Sequence, residues 1–394
     1  MITVEEARAL LMGAVRLTAT STLDLLRAHG HRSADMVRSP HDHPLFDMSA
    51  VDGYAFAFDP DRTSWTVVAE IAAGEVLPQV LAPGECARIF TGAMVPAGAD
   101  TVVMQEFVAR EGARITHSDG KLSRGGNVRR KGEQLRTGDR LLEVGTRLGA
   151  AEIGLLASAG ITALRVHRKP TVSLVRTGGE FTSTTAPEPG RIFSSNELML
   201  AAALQDEGIA TEGRVFTPRD DKPELLRDLQ MALDRSDLVI TTGGVSVGDH
   251  DLVRACLEDL GAEVLFHGVR QKPGKPMLAA RCGNTLVLAL PGNPRAVLVG
   301  WHLFVRPVIQ AMQGAVDPWP RYEALPLAQG VRWKGGRTEF RAGRVEKDRV
   351  HLLADEGSHM LLGLTHADAL VELPAEGGTL DAGKEVTVHH LQRP

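Results

Sequence analysis

The chain has 394 residues, and 44 Lys and Arg against 49 Asp and Glu give a formal net charge of −5. Hydrophobic residues make up 43% and charged residues 24%, an ordinary balance that excludes a mostly disordered chain. At roughly 150 residues per domain, this length indicates about two to four domains. The acidic net charge and an aromatic content of 4% argue against nucleic acid as a partner, but they allow a local cationic pocket for a small anion.

No stretch approaches the ~20 apolar residues that span a bilayer, so we expect no membrane partner. The longest apolar stretch, 296–305, contains His302 and is bounded by Arg295 and Arg306. The N-terminus lacks a basic region followed by an apolar core, so no signal peptide is predicted. Three widely spaced cysteines without a CxxC pair indicate buried thiols in a reducing compartment, and we expect a cytoplasmic location.

The first part of the chain predicts a helix followed by a β-rich region. A threonine and two acidic residues form a typical capped start, and apolar spacing extends the predicted helix over 3–29. Short β-like runs between Gly and Pro turns over 46–147 indicate a small all-β module. A second helix is predicted over 150–159 and ends at Gly160.

From residue 171 the pattern changes to apolar strands that alternate with amphipathic helices. Strands are predicted over 171–177, 212–218, 237–244, 262–269 and 284–292. Helices are predicted over 195–208, 222–235, 250–261 and 294–312. This alternation indicates βαβ units and a doubly wound, mostly parallel α/β domain. After residue 320 the helix signals stop, and short alternating runs predict a small β-barrel or sandwich over 321–394.

The segment 238–251 carries the strongest local signal for a site. A predicted strand runs into Gly243 and Gly244, then Ser246, and a helix follows. Glycines at the carboxyl end of a strand let backbone N–H groups approach an anion, and the helix N-terminus adds positive partial charge. The same residues also suit a tight turn with a helix cap, a role for which Asp251 is not needed.

Two further loops follow strands of the same predicted sheet. In QKPGKPM, two prolines restrict Lys272 and Lys275, and such a pair without an adjacent acid favours an oxyanion. An exposed basic turn is the alternative interpretation. In LPGNPRAVL, Pro291 and Pro294 flank Asn293, and helix capping alone also explains this pattern.

Acidic residues follow three of the predicted strands. Glu180 comes after the first strand, Asp220 and Asp221 after the second, and Asp251 after the third. Because Mg²⁺ takes one or two carboxylates with phosphate oxygens and water, lysines, glycine turns and acids at one sheet edge suit a Mg²⁺–phosphate ligand. Each acid taken alone also fits a helix cap or a solvated turn.

Three more motifs lie upstream, over 46–55, 89–106 and 125–139. The first contains two aspartates around a small-residue turn, and the third is basic. Turn chemistry and a solvated run of charges explain all three, so the residues alone do not place them near the sheet edge.

Taken together, FDMSAVDGYA, RTGGE, PRDD, TTGGVSVGDHD, KPGKP, PGNP and GSHML resemble the molybdopterin molybdenumtransferase family, which includes bacterial MoeA and the E domain of gephyrin. The resemblance covers nearly the whole chain. It implies insertion of molybdenum from molybdate into adenylylated molybdopterin, with Mg²⁺-dependent release of AMP, as the last step of molybdenum cofactor biosynthesis. It also implies a homodimer and, as a further expected partner, transient contact with molybdopterin adenylyltransferase.

The resemblance implies four domains, one of them discontinuous. Residues 1–45 and 138–168 would form an elongated domain, and 46–137 an inserted β-rich domain. Residues 169–315 would form the α/β molybdopterin-binding domain, and 316–394 a C-terminal β-barrel-like domain.

Residue roles are implied where this chain matches the family's motifs. The residues implied to bind molybdate are Lys272, Lys275, Ser246, Arg337 and Ser358. The residues implied to hold other parts of the substrate are Gly243, Gly244, Pro291, Pro294 and Thr91. The implied catalytic residues are Asp251, Glu180, Asp220 and Asp52, with Asp251 and Asp220 as Mg²⁺ ligands. Asp52 and Thr91 would act from the inserted domain, and both action within one chain and action across the dimer cleft stay open.

The chain departs from the family pattern at Gly179, Met48 and Arg295, and His267 carries no assigned role. Three other functions stay open: a molybdopterin adenylyltransferase, a non-catalytic cofactor-binding scaffold, and a nucleotide pyrophosphatase of the competence-damage type. The extra β regions and the KPGKP loop argue against the first, and the retained Asp251 and lysines argue against the second. Molybdate and tungstate are both open as the oxyanion.

Overall fold

The computed structural model describes residues 1–182, 184–219, 221–245, 252–354, 357 and 359–391. It has a mixed α/β, multidomain architecture in which separate sheets surround separate apolar cores. Within these residues no helix combines the length and the apolar character that crossing a membrane requires. Cys86 and Cys256 are buried as predicted, whereas Cys282 is only partly buried.

The N-terminal helix is shorter than the predicted span of 3–29. It covers Val4–Ala14. Its start is fixed by a capping box, in which the Glu6 N–H donates to the Thr3 hydroxyl and the Thr3 N–H donates to the Glu6 carboxylate. The buried face of this helix joins the main apolar core of the molecule.

The prediction of a helix is wrong for the second half of the span 3–29. The chain there forms a strand, Thr20–Asp24, and one helical turn, Leu25–Ala28. The strand pairs with Ala163–His167, more than a hundred residues later. Threonine favours extended backbone, and a distant pairing partner overrides local apolar periodicity.

Two distant stretches of the chain are joined by strand pairing. Arg32–Ser33 pairs with the other edge of Ala163–His167, and Val37–Arg38 pairs with Arg140–Leu142. The predicted helix over 150–159 is confirmed as Ala150–Ser158. Residues before and after the β-rich region therefore share one hydrogen-bonded unit.

The β-rich region contains a six-stranded sheet, which confirms the prediction for this part of the chain. In spatial order its strands are Thr101–Met104, Gly53–Phe56, Glu85–Ile89, Trp65–Ile71, Arg114–His117 and Val108–Glu111. The remaining elements are a 3-10 turn and a two-stranded sheet: Gln105–Phe107, and Met48–Ser49 with Val128–Arg129.

The central sheet has six strands. In spatial order they are Val215–Phe216, Val172–Arg176, Leu238–Thr242, Thr285–Leu290, Leu278–Cys282 and Glu263–His267. The first four run parallel, and Leu278–Cys282 is antiparallel to both neighbours. The sequence pattern misses Leu278–Cys282 because its run of small residues lacks the β-branched and aromatic side chains typical of strands.

Helices cover both faces of the central sheet, because alternate residues of its strands belong to two different apolar cores. The helices on these faces are Asn196–Asp206, Lys222–Asp234, Leu252–Asp259 and the long helix that begins at Pro294. Asp221 caps Lys222–Asp234, since its carboxylate accepts from the Glu224 N–H at 3.2 Å. This contact gives Asp221 a structural role.

The long helix predicted over 294–312 is present but contains a wide turn. It consists of Pro294–Gly300, a π-helical turn at Trp301–Val305, and Arg306–Met312. Pro307 has no N–H to donate to a preceding turn, and a proline inside a helix displaces the carbonyl before it. The π turn is the local adjustment to this proline.

The C-terminal sheet also includes a strand from the central part of the chain. In spatial order it contains Gln271–Lys272, Thr338–Glu346, Ala369–Leu373, Glu385–His390 and Tyr322–Pro326. Additional pairs are Arg349–Leu352 with Thr338–Glu346, and Val331–Trp333 with Gly378–Leu380. A short helix, Leu362–His366, departs from the all-β prediction for this region.

One ion pair connects the end of the strand Ala163–His167 to the start of the strand Leu238–Thr242 in the central sheet. Both guanidinium arms of Arg168 donate to Asp237 at 2.6 Å, and the Thr171 N–H and hydroxyl donate to the same carboxylate at 2.7 Å. Burial raises the pKa of Asp237, but the hydrogen bonds from Arg168 and Thr171 outweigh it and hold that pKa below its ordinary value.

We expect Asp237→Asn to lower the free energy of unfolding by about 1–2 kcal/mol at pH 7, after allowance for the partial exposure of Arg168. Because the folded-state pKa is depressed, this stability is present above the unfolded-state pKa of about 3.9 and is lost as the pH falls through the folded-state value. Urea unfolding at pH 7 and at lower pH measures both effects. Asp381→Asn, at an exposed position, is the control. Equal stability of Asp237→Asn and the parent at pH 7 would contradict the prediction.

Candidate active site

A glycine turn, residues 243–244, follows the third strand of the central sheet. Gly243 has φ of 82° and Gly244 has φ of 61°, a conformation that side chains other than glycine rarely adopt. A Cβ at Gly243 would lie 2.8 Å from the Thr177 hydroxyl, and one at Gly244 would lie 2.9 Å from a methyl group of Val253. Both conformation and space therefore require glycine at this turn.

The glycine turn is held against its two neighbouring strand ends. The Gly243 N–H donates to the Leu290 carbonyl at 3.1 Å, and the Thr177 N–H and hydroxyl donate to the Thr242 carbonyl at 3.0 and 3.1 Å. The ends of three parallel strands thus meet at one edge of the sheet. This is the edge at which open α/β sheets bind ligands.

The PGNP segment lies beside the glycine turn. A Cβ at Gly292 would lie 3.7 Å from the Gly243 Cα, and the Asn196 side-chain amide donates to the Gly292 carbonyl at 2.7 Å. Asn293 occupies the N-cap position of the following helix, but its side chain makes no capping hydrogen bond. Pro291 and Asn293 instead line a cavity, so capping does not explain the whole motif.

The cavity has a volume of about 390 Å³ and combines two parts of the chain. One wall is the lysine loop, residues 272–276, and the opposite wall is the start of the strand Thr338–Glu346. These walls are fixed together because Gln271 and Lys272 pair in parallel with Thr338 and Glu339. The structure therefore brings Lys272, Lys275, Arg337, Pro291 and Pro294 to one region, where all but Pro294 line the cavity.

Positive charge dominates the described lining of the cavity. Its cations are Lys272, Lys275, Arg295, Arg337 and Arg341. Glu339, whose side chain is 8% exposed, accepts from Lys272 Nζ at 3.2 Å and from Arg341 Nε at 2.7 Å on the same oxygen. The Lys275 ammonium is exposed and has no hydrogen-bond or ionic partner among the described residues. Such a site suits a compact anion with two negative charges.

Glu339, Arg341 and Arg295 are cavity residues to which sequence reasoning assigned no role. Glu339 and Arg341 lie at alternate positions of the strand Thr338–Glu346, directly after Arg337, and sequence pattern alone places this strand in a separate β domain. The available signal was the GRTEFR run itself, in which cations and an acid alternate. Its contact with the lysine loop joins residues 67 positions apart and has no local signature.

Four predicted site residues lie outside the described residues: Asp220, Ser246, Asp251 and Ser358. Asp220 and Asp251 are the predicted Mg²⁺ ligands. Among the residues that the structure describes, no three His, Cys, Asp or Glu side chains cluster as a metal site.

Glu180 is not part of the cavity lining. It is exposed, and its backbone carbonyl accepts from the Ile192 N–H at 2.8 Å. The neighbouring Phe181 ring lies under the Arg176 guanidinium, 4.4 Å from the ring centroid. The assignment of Glu180 to the site stays a prediction.

Asp52 and Thr91 are in contact with each other within the β-rich region. The Thr91 N–H and hydroxyl donate to the same Asp52 oxygen at 2.8 and 2.7 Å. These hydrogen bonds hold the pKa of the Asp52 carboxyl below its ordinary value, so the group is ionised at neutral pH. The described lining of the cavity comes from residues 272–341, and neither residue belongs to it.

Three family models match successive parts of the chain. The MoeA N-terminal region (domain I and II) matches residues 2–160, the probable molybdopterin binding domain matches 172–311, and the MoeA C-terminal region (domain IV) matches 324–391. The match to the central model contains the glycine turn, the lysine loop and PGNP. The C-terminal match contains the strand with Arg337 and Glu339.

Curated relatives and solved structures agree with these models. Proteins named molybdopterin molybdenumtransferase are 36% identical in Nostoc, over 94% of this chain and 89% of the relative, and 32% identical in Haemophilus influenzae, over 98% of both. Two structures of the molybdopterin biosynthesis MoeA protein from Pyrococcus horikoshii give TM-scores of 0.82 and 0.84, at 29% and 27% identity. They cover 100% and 99% of this chain, and each is matched over 100% of its own length. The chain belongs to the molybdopterin molybdenumtransferase family of molybdenum cofactor biosynthesis enzymes.

Proposed function

We propose that this protein inserts molybdenum from molybdate into adenylylated molybdopterin and releases AMP. The observation that carries the proposal is the cationic cavity between the lysine loop and Arg337, directly beside the glycine turn. Molybdate is a dianion, and the second substrate carries phosphate groups and a dithiolene. Two adjoining anion sites at one sheet edge suit the pair.

The residues act by binding and orientation. Lys275, Lys272 and Arg337 supply charge-assisted hydrogen bonds to molybdate oxygens, and Glu339 fixes the position of Lys272. The backbone of the glycine turn accommodates a phosphate group of the pterin substrate, and the close contacts with Thr177 and Val253 keep the turn in this conformation. The cations offset the repulsion between the two anionic substrates when they lie side by side.

The proposed reaction has two linked parts. In the first, the two dithiolene sulfurs replace two oxygens of molybdate, and each departing oxygen takes up protons and leaves as water. In the second, water cleaves the phosphoanhydride, so that AMP leaves and the pterin keeps its phosphate. Cations around the reacting groups stabilise the charge that develops on the phosphate oxygens.

Several finer features stay predictions. Mg²⁺ binding would depend on Asp220 and Asp251. Asp52 and Thr91, which do not line the described cavity, would act on it either within one chain or across a homodimer. The four domain boundaries, the cytoplasmic location and transient contact with molybdopterin adenylyltransferase also belong to the proposal.

The direct test is to incubate the purified protein with adenylylated molybdopterin, molybdate and Mg²⁺ and to follow AMP by chromatography. We expect molybdate-dependent AMP release, loss of release in Asp251→Asn, and loss on chelation of Mg²⁺. Tight pterin binding without AMP release would contradict the proposal and favour a scaffold. ATP-dependent adenylylation of molybdopterin would instead identify an adenylyltransferase, and turnover of ordinary dinucleotides a pyrophosphatase.

Glu339→Gln tests whether this carboxylate acts by fixing the positions of Lys272 and Arg341. The substitution keeps the cations but removes the carboxylate that holds Lys272 and Arg341. We expect kcat to fall about tenfold, because small displacements of a binding group carry large rate effects. The KM for molybdate should change less than about threefold, since the positive charge is retained. Steady-state kinetics with varied molybdate measures both, and an unchanged kcat would contradict the positioning role.

A further inference from the structure

A second cavity, with a volume of about 730 Å³, is rich in arginine. It shares no described lining residue with the cavity of the lysine loop. Its five arginines come from separate parts of the chain: Arg8, Arg32, Arg147, Arg306 and Arg321. Arg8 lies on the N-terminal helix, and Arg32 and Arg147 face each other across an isolated antiparallel bridge. Arg306 begins the helix Arg306–Met312, and Arg321 precedes the strand Tyr322–Pro326.

The lining of this cavity is mostly cationic, and the carboxylates that interact electrostatically with Arg8 and Arg32, which are Glu5, Glu207 and Glu372, lie outside the lining. Among the described residues that line the cavity, Asp317 is the one carboxylate. Glu207, outside the lining, pairs with Arg306. The guanidinium groups of Arg147 and Arg321 are exposed and make no hydrogen bond or ion pair within the described chain. Two cations are therefore available to a ligand without breaking an existing contact.

The half-buried Arg32 is held at an electrostatic cost. It donates to the Gly145 carbonyl at 2.9 Å and approaches the Gln310 side chain at 3.5 Å, and neither partner is charged. Burial lowers the pKa of Arg32, the nearby charges of Arg147 and Arg306 lower it further, and Glu207 offsets part of this effect. Like charges repel more strongly in a partly buried site than in water. An anionic ligand would relieve this repulsion.

Arg8 is a second half-buried arginine at the same cavity, and part of its hydrogen-bonding capacity is unmet. Its guanidinium lies 5.0 Å from the ring centroid of Trp319, which also lines the cavity. Its Nε and one terminal nitrogen are buried, and in the described part of the protein they have no hydrogen-bond partner. Buried donors without partners are uncommon in folded proteins. The cavity thus combines exposed free cations with buried unsatisfied ones.

We propose that this arginine cavity binds a phosphorylated small molecule that carries at least two negative charges. Guanidinium groups pair with phosphate oxygens through two parallel hydrogen bonds, and several arginines around one concave space favour such groups over a single carboxylate. The volume lies within the range of small-molecule sites. Nucleic acid is disfavoured because the cationic residues line a cavity in a chain of net charge −5. This site goes beyond the proposed transferase reaction.

Calorimetric titration of the full chain with inorganic pyrophosphate, and separately with ADP, tests the site. The titrations use a Lys275→Ala background, which weakens anion binding at the first cavity. We expect one saturable site for pyrophosphate that is weakened at least tenfold by Arg147→Gln with Arg321→Gln. Arg349→Gln, at an exposed position on a different strand pair, is the matched control and should leave the affinity unchanged.

The outcomes distinguish a nucleotide from a smaller phosphate compound, and both from an interface between chains. Tighter binding of ADP than of pyrophosphate would support a nucleotide as the ligand, with its base near Trp319, and equal binding would support a smaller phosphate compound. Absence of saturable binding, or equal affinity in the double variant and the control, would overturn the proposal. A changed oligomeric state in the double variant, with pyrophosphate binding retained, would also overturn it and assign the cavity to an interface. Thermal unfolding checks that the variants fold.

Discussion

Lys275→Ala is expected to weaken molybdate binding roughly 10- to 150-fold, the range that corresponds to one hydrogen bond to a charged group. The physical reason is the isolation of this side chain. Within the described residues its ammonium has no partner to which its charge is already committed, and it lines the cationic cavity. The lost interaction is therefore with the ligand. Calorimetric titration with molybdate measures the effect.

Lys384→Ala is the matched control, because it removes the same charge from an exposed position outside the cavity. Its molybdate affinity should equal that of the parent. Both variants should unfold within about 0.5 kcal/mol of the parent, as exposed substitutions generally do. Equal loss of affinity in the two variants would show a general effect of net charge, and no loss in either would remove molybdate from the lysine loop.

Gly243→Ala is expected to reduce binding of the adenylylated pterin by at least about tenfold and to lower the free energy of unfolding by about 1–3 kcal/mol. Two effects combine. The residue has φ of 82°, and an added Cβ would lie 2.8 Å from the Thr177 hydroxyl. Relief of this contact moves the turn away from the strand end, where its N–H now donates to Leu290. Fluorescence titration with the pterin and urea unfolding measure the two quantities.

Gly283→Ala separates backbone strain from loss of the site. Gly283 has φ of 57°, nothing lies within 4 Å of an added Cβ, and it connects two strands away from the glycine turn. We expect Gly283→Ala to lose stability through the same backbone strain as Gly243→Ala and to bind the pterin with the parent's affinity. If Gly243→Ala bound the pterin as tightly as Gly283→Ala does, the glycine turn would not be part of the binding site.

Local chemistry predicted much of the fold. Strand ends, helix caps and the glycine turn depend on residues within a few positions of each other, and the capping box at Thr3 and the positive φ at Gly243 follow from residue type. The strands Thr20–Asp24 and Leu278–Cys282 were missed because their stability comes from distant pairing partners and not from their own side chains.

The candidate site was predictable in part for the same reason. Lys272, Lys275 and Arg337 are recognisable in their motifs, and the structure places all three on one cavity. Glu339 was missed because its importance lies in a contact with Lys272 that no local pattern encodes. Glu180 was assigned to the site from its position after a strand and from the resemblance; it does not line the described cavity, and its role stays a prediction.

The pairing of Gln271–Lys272 with Thr338–Glu346 has a consequence for the order of events during synthesis. The lysine loop leaves the ribosome with the central sheet, but its partner strand follows dozens of residues later. Domains fold progressively from the N-terminus, so the glycine turn can be in place while the opposite wall is still absent. Under the proposed function, a nascent chain would therefore present the phosphate-binding turn before the oxyanion site is complete. The complete pocket exists only once the last quarter of the protein has been made.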